Sequence, residues 1–379
     1  MMNYRTLGKT GMRVSEVGLG CEHLQGKSPE RVRAVVDAAL EAEMNIFDIF
    51  MSEPEVRSNI GDALAGRRER VLLQGHIGAA WKDGQYCRTR DEGECRVFFE
   101  DFLRRLRTDY VDIGMLHYID SDEDFDRVFN GPVYAYARKL RDEGVIRAIG
   151  LSSHNPLVAV RAVPYIDVLM FSVNPAFDFL EGRTEIDALL DEATFRKARH
   201  GIDRSRMALY EACERAGVGI TVMKAFAAGN LLSDKTSPFG RALTPYQCIA
   251  YALDRPAAAS VLAGAATPEE VRISAGYSDS DAAARDYTEI MRTSAHFSSK
   301  EQCMYCNHCL PCPENIDIAA VNRLYDLASV KLTDTLRDHY RVLGAKPSAC
   351  IGCGSCEANC PFDVPVRDRM ARAAALFER

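Results

Sequence analysis

Thirteen cysteines occur in the 379 residues, and eight of them crowd between positions 303 and 360. The first run, CMYCNHCLPCP, sets Cys303, Cys306, Cys309 and Cys312 three apart and closes on Pro313. The second, CIGCGSCEANCP, sets Cys350, Cys353, Cys356 and Cys360 ahead of Pro361. The other five (Cys21, Cys87, Cys95, Cys213 and Cys248) are single. Scattered thiols read as buried or disulfide-bonded, whereas thiols grouped at CxxC spacing read as metal ligands. Short CxxC steps wrap the backbone around a metal centre and aim its N–H groups at the sulfurs. A pair of zinc sites is the simpler alternative. Zinc, however, takes four ligands and rarely uses two adjacent CxxCxxC triplets each closed by Cys-Pro. Iron–sulfur clusters are therefore the expectation.

The second run has the bacterial ferredoxin spacing, and the first differs by one residue in its last gap. In two-cluster ferredoxins the fourth cysteine of each run ligates the other cluster. Cys303, Cys306, Cys309 and Cys360 are thus expected on one [4Fe–4S] cluster, and Cys350, Cys353, Cys356 and Cys312 on the other. Between the runs, Ile316, Ile318, Val321 and Leu324, then Leu332 and Leu336, recur at helical spacing and predict a packing segment.

The rest of the chain must position whatever uses those electrons. Hydrophobic content of 47%, charged content of 27% and a net charge of −7 describe an ordinary globular chain with no reason to seek nucleic acid or an anionic membrane. Its length suits two domains. The longest small apolar run, AAASVLAGAA (257–266), is far short of the roughly 20 residues that span a bilayer. The opening MMNYRTLGKTGMRV lacks the apolar core of a signal peptide, so a cytoplasmic location is expected.

Eight short apolar runs punctuate residues 15–264: SEVGLG, MNIFDI, RVLLQGH, VDIGMLH, IRAIGLSS, DVLMFSV, GVGITVMK and ASVLAG. Helical segments alternate with them. Val32, Val35, Val36, Ala39 and Leu40 repeat at helical spacing behind Ser28-Pro29; other helices start at Asn155-Pro156, Thr244-Pro245 and Thr267-Pro268. The pattern predicts an α/β fold, a (β/α)8 barrel over 1–280, followed by a linker (281–300) and a small, α-helical, ferredoxin-like two-cluster domain (301–379). A doubly wound sheet is the alternative, but GLGCEHLQG is not its GxGxxG turn. YRTLGKTGMRVSE reads as a hairpin capping the barrel bottom, and about Leu180 to Arg206 as a long polar helical insertion.

In such a barrel the chemistry lies at the strand ends. Those positions hold Asp48, His76, His117, Ser152, Ser153, His154, Asn174, Lys224 and Gly264. NIFDI, MLHYID, IGLSSHN, SVNPAFD, VMKAF and AGAATPEEV, in that order, resemble the aldo/keto reductases over about residues 3–280. With its tail, the whole chain resembles the ferredoxin-fused, iron–sulfur branch of that superfamily. The resemblance implies a nicotinamide cofactor, usually NADP(H), and an Asp, Tyr, Lys and His tetrad. In it tyrosine protonates the substrate carbonyl, lysine lowers its pKa, aspartate holds the lysine and histidine orients the substrate.

Position by position, the aspartate matches Asp48 and the histidine His117. The tyrosine position holds Glu53, the lysine position His76 and the carboxamide-binding glutamine position Met170. Asp48, Glu53, His76 and His117 are thus the candidate catalytic residues, with Glu53 and His76 handling protons. The plainer view of Glu53 is a carboxylate at a helix N-terminus. Tyr86, Tyr118 and Lys82, in the loops after strands three and four, could supply the missing phenol and amine. Ser152, Ser153, Asn174, Lys224, Gly264, Thr267 and Arg272 are the cofactor-binding candidates. The Gly264 loop and the helix starting after Thr267 form an anion site that suits a dinucleotide pyrophosphate or an FMN phosphate. Nicotinamide moves two electrons and a cluster one, and a flavin converts between them.

The leading expectation is an iron–sulfur oxidoreductase. Its barrel mouth reduces or oxidises a small organic substrate, exchanging electrons through the clusters with an external carrier such as ferredoxin or flavodoxin. The alternatives are an NAD(P)H-dependent carbonyl reductase with structural clusters, and a non-catalytic electron-transfer module that docks a partner enzyme.

Overall fold

The computed structural model describes residues 1–378 apart from 183, 185–193, 195–198, 295, 296 and 299. The chain divides into two compact units. The first is Met1–Asn174, Leu209–Ala228 and Pro245–Arg285; the second is Pro175–Ala208, Gly229–Thr244 and Asp286–Arg379. The second unit is therefore not confined to the 301–379 expected from sequence. It also takes in two stretches that lie between barrel strands in the chain.

The first unit is a closed barrel of eight parallel strands: β1 (Val17–Gly20), β2 (Ile46–Ile49), β3 (Leu72–Ile77), β4 (Val111–Leu116), β5 (Ile146–Ser153), β6 (Val168–Ser172), β7 (Gly219–Met223) and β8 (Ala258–Gly264). Each corresponds to one of the eight apolar runs. Strand order around the ring follows the chain, and it closes where Val261 to Gly264 pair with Val17 to Gly20. That closure excludes the doubly wound sheet. Inward positions alternate along each strand. Ile46, Ile113, Met115, Ala148, Val168, Met170, Met223 and Leu262 fill the interior.

Leu7 and Val14, from the expected hairpin of Tyr4–Thr6 with Arg13–Ser15, join that core. The hairpin sits against the start of β7, where Lys9 N donates to Gly217 O (2.6 Å). Gly8 makes this possible: its φ is +50°, and a Cβ there would lie 2.2 Å from Gly217 O. Helices cover the outside, and Pro29, Pro54, Pro132, Pro156, Pro245 and Pro268 each open one. Proline suits that first position because its missing N–H would be unpaired there anyway.

In the second unit, helices Ile318–Ala328, Asp334–Val342 and Val366–Phe377 pack around Leu324, Leu336, Tyr340 and Phe377. The Tyr340 and Phe377 rings stack at 4.4 Å. The packing segment expected between the cysteine runs is thus realised as two helices. Met207 packs with Tyr305 and Ala319 in a smaller cluster of the same unit. Of the helical insertion expected over 180–206, residues 183, 185–193 and 195–198 lie outside the described residues. The segment read as a linker contains the short helices Ala282–Arg285 and Thr288–Thr293. No helix among the described residues is long and apolar enough to cross a membrane.

Candidate active site and cysteine cradles

Four side chains from three strand ends and a hairpin form one hydrogen-bonded chain at the barrel mouth. Asp48 ends β2, His76 lies in β3, and His117 follows β4. Asp48 Oδ1 lies 2.9 Å from His76 Nε2, His76 Nδ1 lies 2.8 Å from His117 Nδ1, and His117 Nε2 lies 2.6 Å from the Tyr86 hydroxyl. Asp48, His76 and His117 are 2%, 2% and 4% exposed. Gln74 Nε2 also donates to Asp48 Oδ1 (3.0 Å).

One arrangement of the protons satisfies all four groups without a charged histidine. The Asp48 carboxylate accepts from His76 Nε2–H, so a neutral His76 accepts at Nδ1 from His117 Nδ1–H. His117 Nε2 is then an acceptor, and the Tyr86 O–H donates to it. Burial pushes the His117 imidazole well below its ordinary range, and His76, Arg90, Arg88 and His154 add to the shift. Burial chiefly raises the Tyr86 phenol. Both shifts favour the neutral arrangement.

The second half of the site comes from an element the sequence reading did not name. Ala79–Lys82 and Gln85–Arg88 pair as an antiparallel hairpin after β3, with Tyr86 opposite Trp81. Its two-residue turn is Asp83-Gly84, both at positive φ (51° and 76°). Asp-Gly between alternating residues is a strong hairpin signal, and it was available in the sequence. Phe50 stacks on His117 (6.0 Å, 11°) and meets Tyr86 edge-on, which holds both rings. Arg90 Nη2 donates to the carbonyls of His117 and Tyr118 (2.8 and 2.9 Å) and pairs with Asp124.

The other candidates separate. Glu53 stands outside the chain of four. Pro54 starts a helix directly after it, so Glu53 occupies the N-cap and its carboxylate accepts from Gly26 N (3.4 Å). Lys82 is paired with Glu94 (2.5 Å), and Tyr118 packs on His154 and under Arg88. His154 is held by Asp120 (2.9 Å), as is the Ser153 hydroxyl (2.8 Å). Ser152 is buried at the end of β5, and Asn174 Nδ2 donates to Lys224 O (2.9 Å). Met170, at the carboxamide-binding glutamine position, is packed in the barrel core.

The expected anion site is closed by its own helix. Thr267 Oγ1 accepts from Glu270 N (3.2 Å), while Glu270 Oε2 accepts from Ala266 N (2.6 Å). Arg272 reaches Glu269 (3.7 Å), and a Cβ on Gly264 would lie 2.7 Å from the His23 ring. A carboxylate therefore occupies the N–H that a phosphate would use.

The pattern of the aldo/keto reductase family matches residues 16–244, more than half of the chain. The chain belongs to the aldo/keto reductase family. It is 30% identical over 188 residues to an uncharacterized oxidoreductase, YqkF, of Bacillus subtilis, covering 48% of this chain and 59% of that protein. It is 26% identical over 201 residues to the aldo-keto reductase YhdN of the same organism, covering 50% and 57%. The chain thus spans about three fifths of the length of these curated relatives. Among solved structures, it resembles aldo-keto reductase AKR11C1 from Bacillus halodurans in its holo form. The TM-score is 0.61 at 23% identity, with 80% of this chain and 99% of that one covered. The family match ends before the cysteine runs begin.

Those runs form two cradles in the second unit. Cys303, Cys306, Cys309 and Cys360 line one cavity. Cys312, Cys350, Cys353 and Cys356 line another. Each cavity takes three cysteines from one run and the fourth from the other. Among the described residues, no three His, Cys, Asp or Glu side chains converge closely enough to hold a single metal ion.

Proposed function

We propose that this family member catalyses hydride transfer between a nicotinamide, NADP(H) or NAD(H), and a small carbonyl or alcohol substrate. In this reading Tyr86 exchanges the proton with the substrate oxygen. The observation that carries it is the continuous chain Tyr86–His117–His76–Asp48. It supplies acid–base chemistry where the tetrad is altered, with Glu53 at the tyrosine position and His76 at the lysine position.

In the oxidising direction the substrate hydroxyl gives its proton to Tyr86 Oη as the Tyr86 proton passes to His117 Nε2. The imidazolium so formed lies two hydrogen bonds from the Asp48 carboxylate, which stabilises the charge. In the reducing direction each transfer reverses, and Tyr86 protonates the new alkoxide. The bound nicotinamide supplies or takes the hydride. The reaction end of the site fits this role: the Tyr86 ring is 42% exposed while the groups behind it are buried. The anion end fits only once Glu270 leaves Ala266 N. Ser152, Asn174 and Lys224 are the remaining residues at the mouth for the cofactor. A connected proton path is not needed by a module that only docks a partner, and this weighs against the non-catalytic alternative.

The test is turnover of a panel of aldehydes and alcohols with NADPH and NADH. Tyr86→Phe should lower kcat by about 10²- to 10⁴-fold, the usual worth of a positioned acid–base group, with cofactor affinity unchanged. Glu270→Gln should tighten nicotinamide binding. Wild-type turnover in Tyr86→Phe would remove Tyr86 from the mechanism.

A second reading is favoured by the cradles. Each would hold a [4Fe–4S] cluster, which when bound carries one electron. Tetrahedral zinc would draw its sulfurs to within about 4 Å of one another. Here the sulfurs ring a space instead, which supports the larger group. Passing electrons between the clusters and an external carrier such as ferredoxin or flavodoxin would require a one-electron step at the mouth. FMN or a substrate that accepts single electrons would supply it. Flavin content after anaerobic purification separates this from structural clusters.

A further inference from the structure

The two cradles are related position by position. Counted from the proline that closes each run, Ile316 and Val364 stand third, Ala319 and Arg367 sixth, and Asn322 and Met370 ninth. Each pair divides between the cavities. Val364, Ala319 and Asn322 line the one with Cys303; Ile316, Arg367 and Met370 line the one with Cys350.

The ninth positions differ in chemistry. Asn322 is 1% exposed, and its Nδ2 donates to Cys303 Sγ at 3.4 Å. Its orientation is not free. Arg369 Nε donates to Asn322 Oδ1 (2.8 Å), and a guanidinium has only donors to offer. The amide oxygen must face Arg369, so the amide N–H must face the sulfur. Arg369 is itself anchored by Asp326 (2.5 Å). Met370, 2% exposed at the matching place, has no donor at all. A buried amide committed to a sulfur gains little from a neutral thiol and much from an anionic thiolate, because hydrogen bonds to ionised acceptors are about twice as strong.

We infer that Asn322 raises the reduction potential of the cluster held by Cys303, Cys306, Cys309 and Cys360, with Arg369 as its positioning residue, and that Met370 leaves the other cluster without this donor. The inference rests on the proposal that both cradles hold clusters. A cluster taking up one electron becomes more negative at its sulfurs, with no proton moved. An N–H aimed at a ligating sulfur therefore favours the reduced form.

The experiment is an anaerobic redox titration of the reconstituted full chain, read by electron paramagnetic resonance beside its iron and sulfide content. Asn322→Met should lower one one-electron wave and leave the other in place. A tenfold loss in the occupancy ratio is a shift of about 59 mV. Arg369→Met should lower the same wave. Met370→Asn should raise the other. If Asn322→Met binds full iron and neither wave moves, or both move together, the inference is overturned. If that variant fails to take up iron, Met370→Asn decides: a raised wave supports the inference and an unmoved one overturns it. Wild-type protein that takes up fewer than four irons per cradle would overturn the cluster proposal itself.

Discussion

The barrel mouth and the cysteine cradles both gather groups that are costly to bury, but they complete them differently. At the mouth, each buried ionisable group meets another side chain of the same unit. Asp48 has His76 and Gln74, His76 has His117, and His117 has Tyr86. In the cradles, eight thiols surround two spaces; Asn322 donates to Cys303, and the Cys353 thiol donates to the Ser355 hydroxyl (3.6 Å). The mouth is a finished network before any ligand arrives. The cradles are not such a network, and the proposed clusters would complete them.

The largest effect expected from this contrast is on folding. If the cradles hold the proposed clusters, removing their iron, or replacing Cys303 and Cys350 together by serine, should unfold the three-helix part of the second unit and leave the barrel standing. Structural metal binding is coupled to folding in this way. Hydrogen exchange reads each unit separately. Protection over 318–377 that survives complete loss of iron would abolish the distinction between finished and half-built sites.

The next effect belongs to the mouth. His76→Leu removes the link between Asp48 and His117 and leaves a buried carboxylate with only Gln74. Removing the donor from a buried carboxylate costs about 1–3 kcal/mol or more, because the charge is left undersatisfied. Trp81, the single tryptophan, stands opposite Tyr86 in the hairpin and reports this directly in urea unfolding. Iron content should be unchanged. A loss below about 1 kcal/mol would show that the chain of four is not a stabilising unit.

What was legible follows the same division. The grouping of the cysteines into two cavities could be read because each triplet is local in the chain. The eight strands could be read because buried parallel strands are short continuous apolar runs. Tyr86 was only one of three phenol or amine candidates. It reaches His117 by a hairpin that doubles back over the mouth, and only Asp83-Gly84 marks it. Glu53 was placed by its distance from Asp48, yet Pro54 starts a helix there and turns the carboxylate toward Gly26. Thr267-Pro268 marked the helix start, but not Glu270 as the group that takes the N–H of Ala266. That required knowing which backbone N–H it takes. The extent of the second unit was hidden for a similar reason: Met207 packs on Tyr305, almost a hundred residues away in the chain.

The smallest expected effect is a slope rather than a collapse, and it follows from His117. Burial, then His76, Arg90, Arg88 and His154, hold its folded pKa well below 6.5. The unfolded imidazole titrates near 6.5. Between the depressed folded value and the unfolded one, the unfolded chain binds a proton that the folded chain refuses. Stability is therefore complete above about pH 6.5 and declines as pH falls through that window. The same protonation has a kinetic side. A neutral His117 accepts the Tyr86 proton, so alcohol oxidation should hold its rate at neutral pH and fall in acid. Carbonyl reduction, which draws on the charged form, should rise as pH drops. His117→Gln keeps a polar side chain but cannot take up the proton, so it should flatten both the Trp81-monitored Tm slope and the opposed rate profiles. The same acid slope in His117→Gln as in the parent would place the titrating group elsewhere. Flattened stability with unchanged rate profiles would keep His117 as a structural histidine and take the proton path away from it.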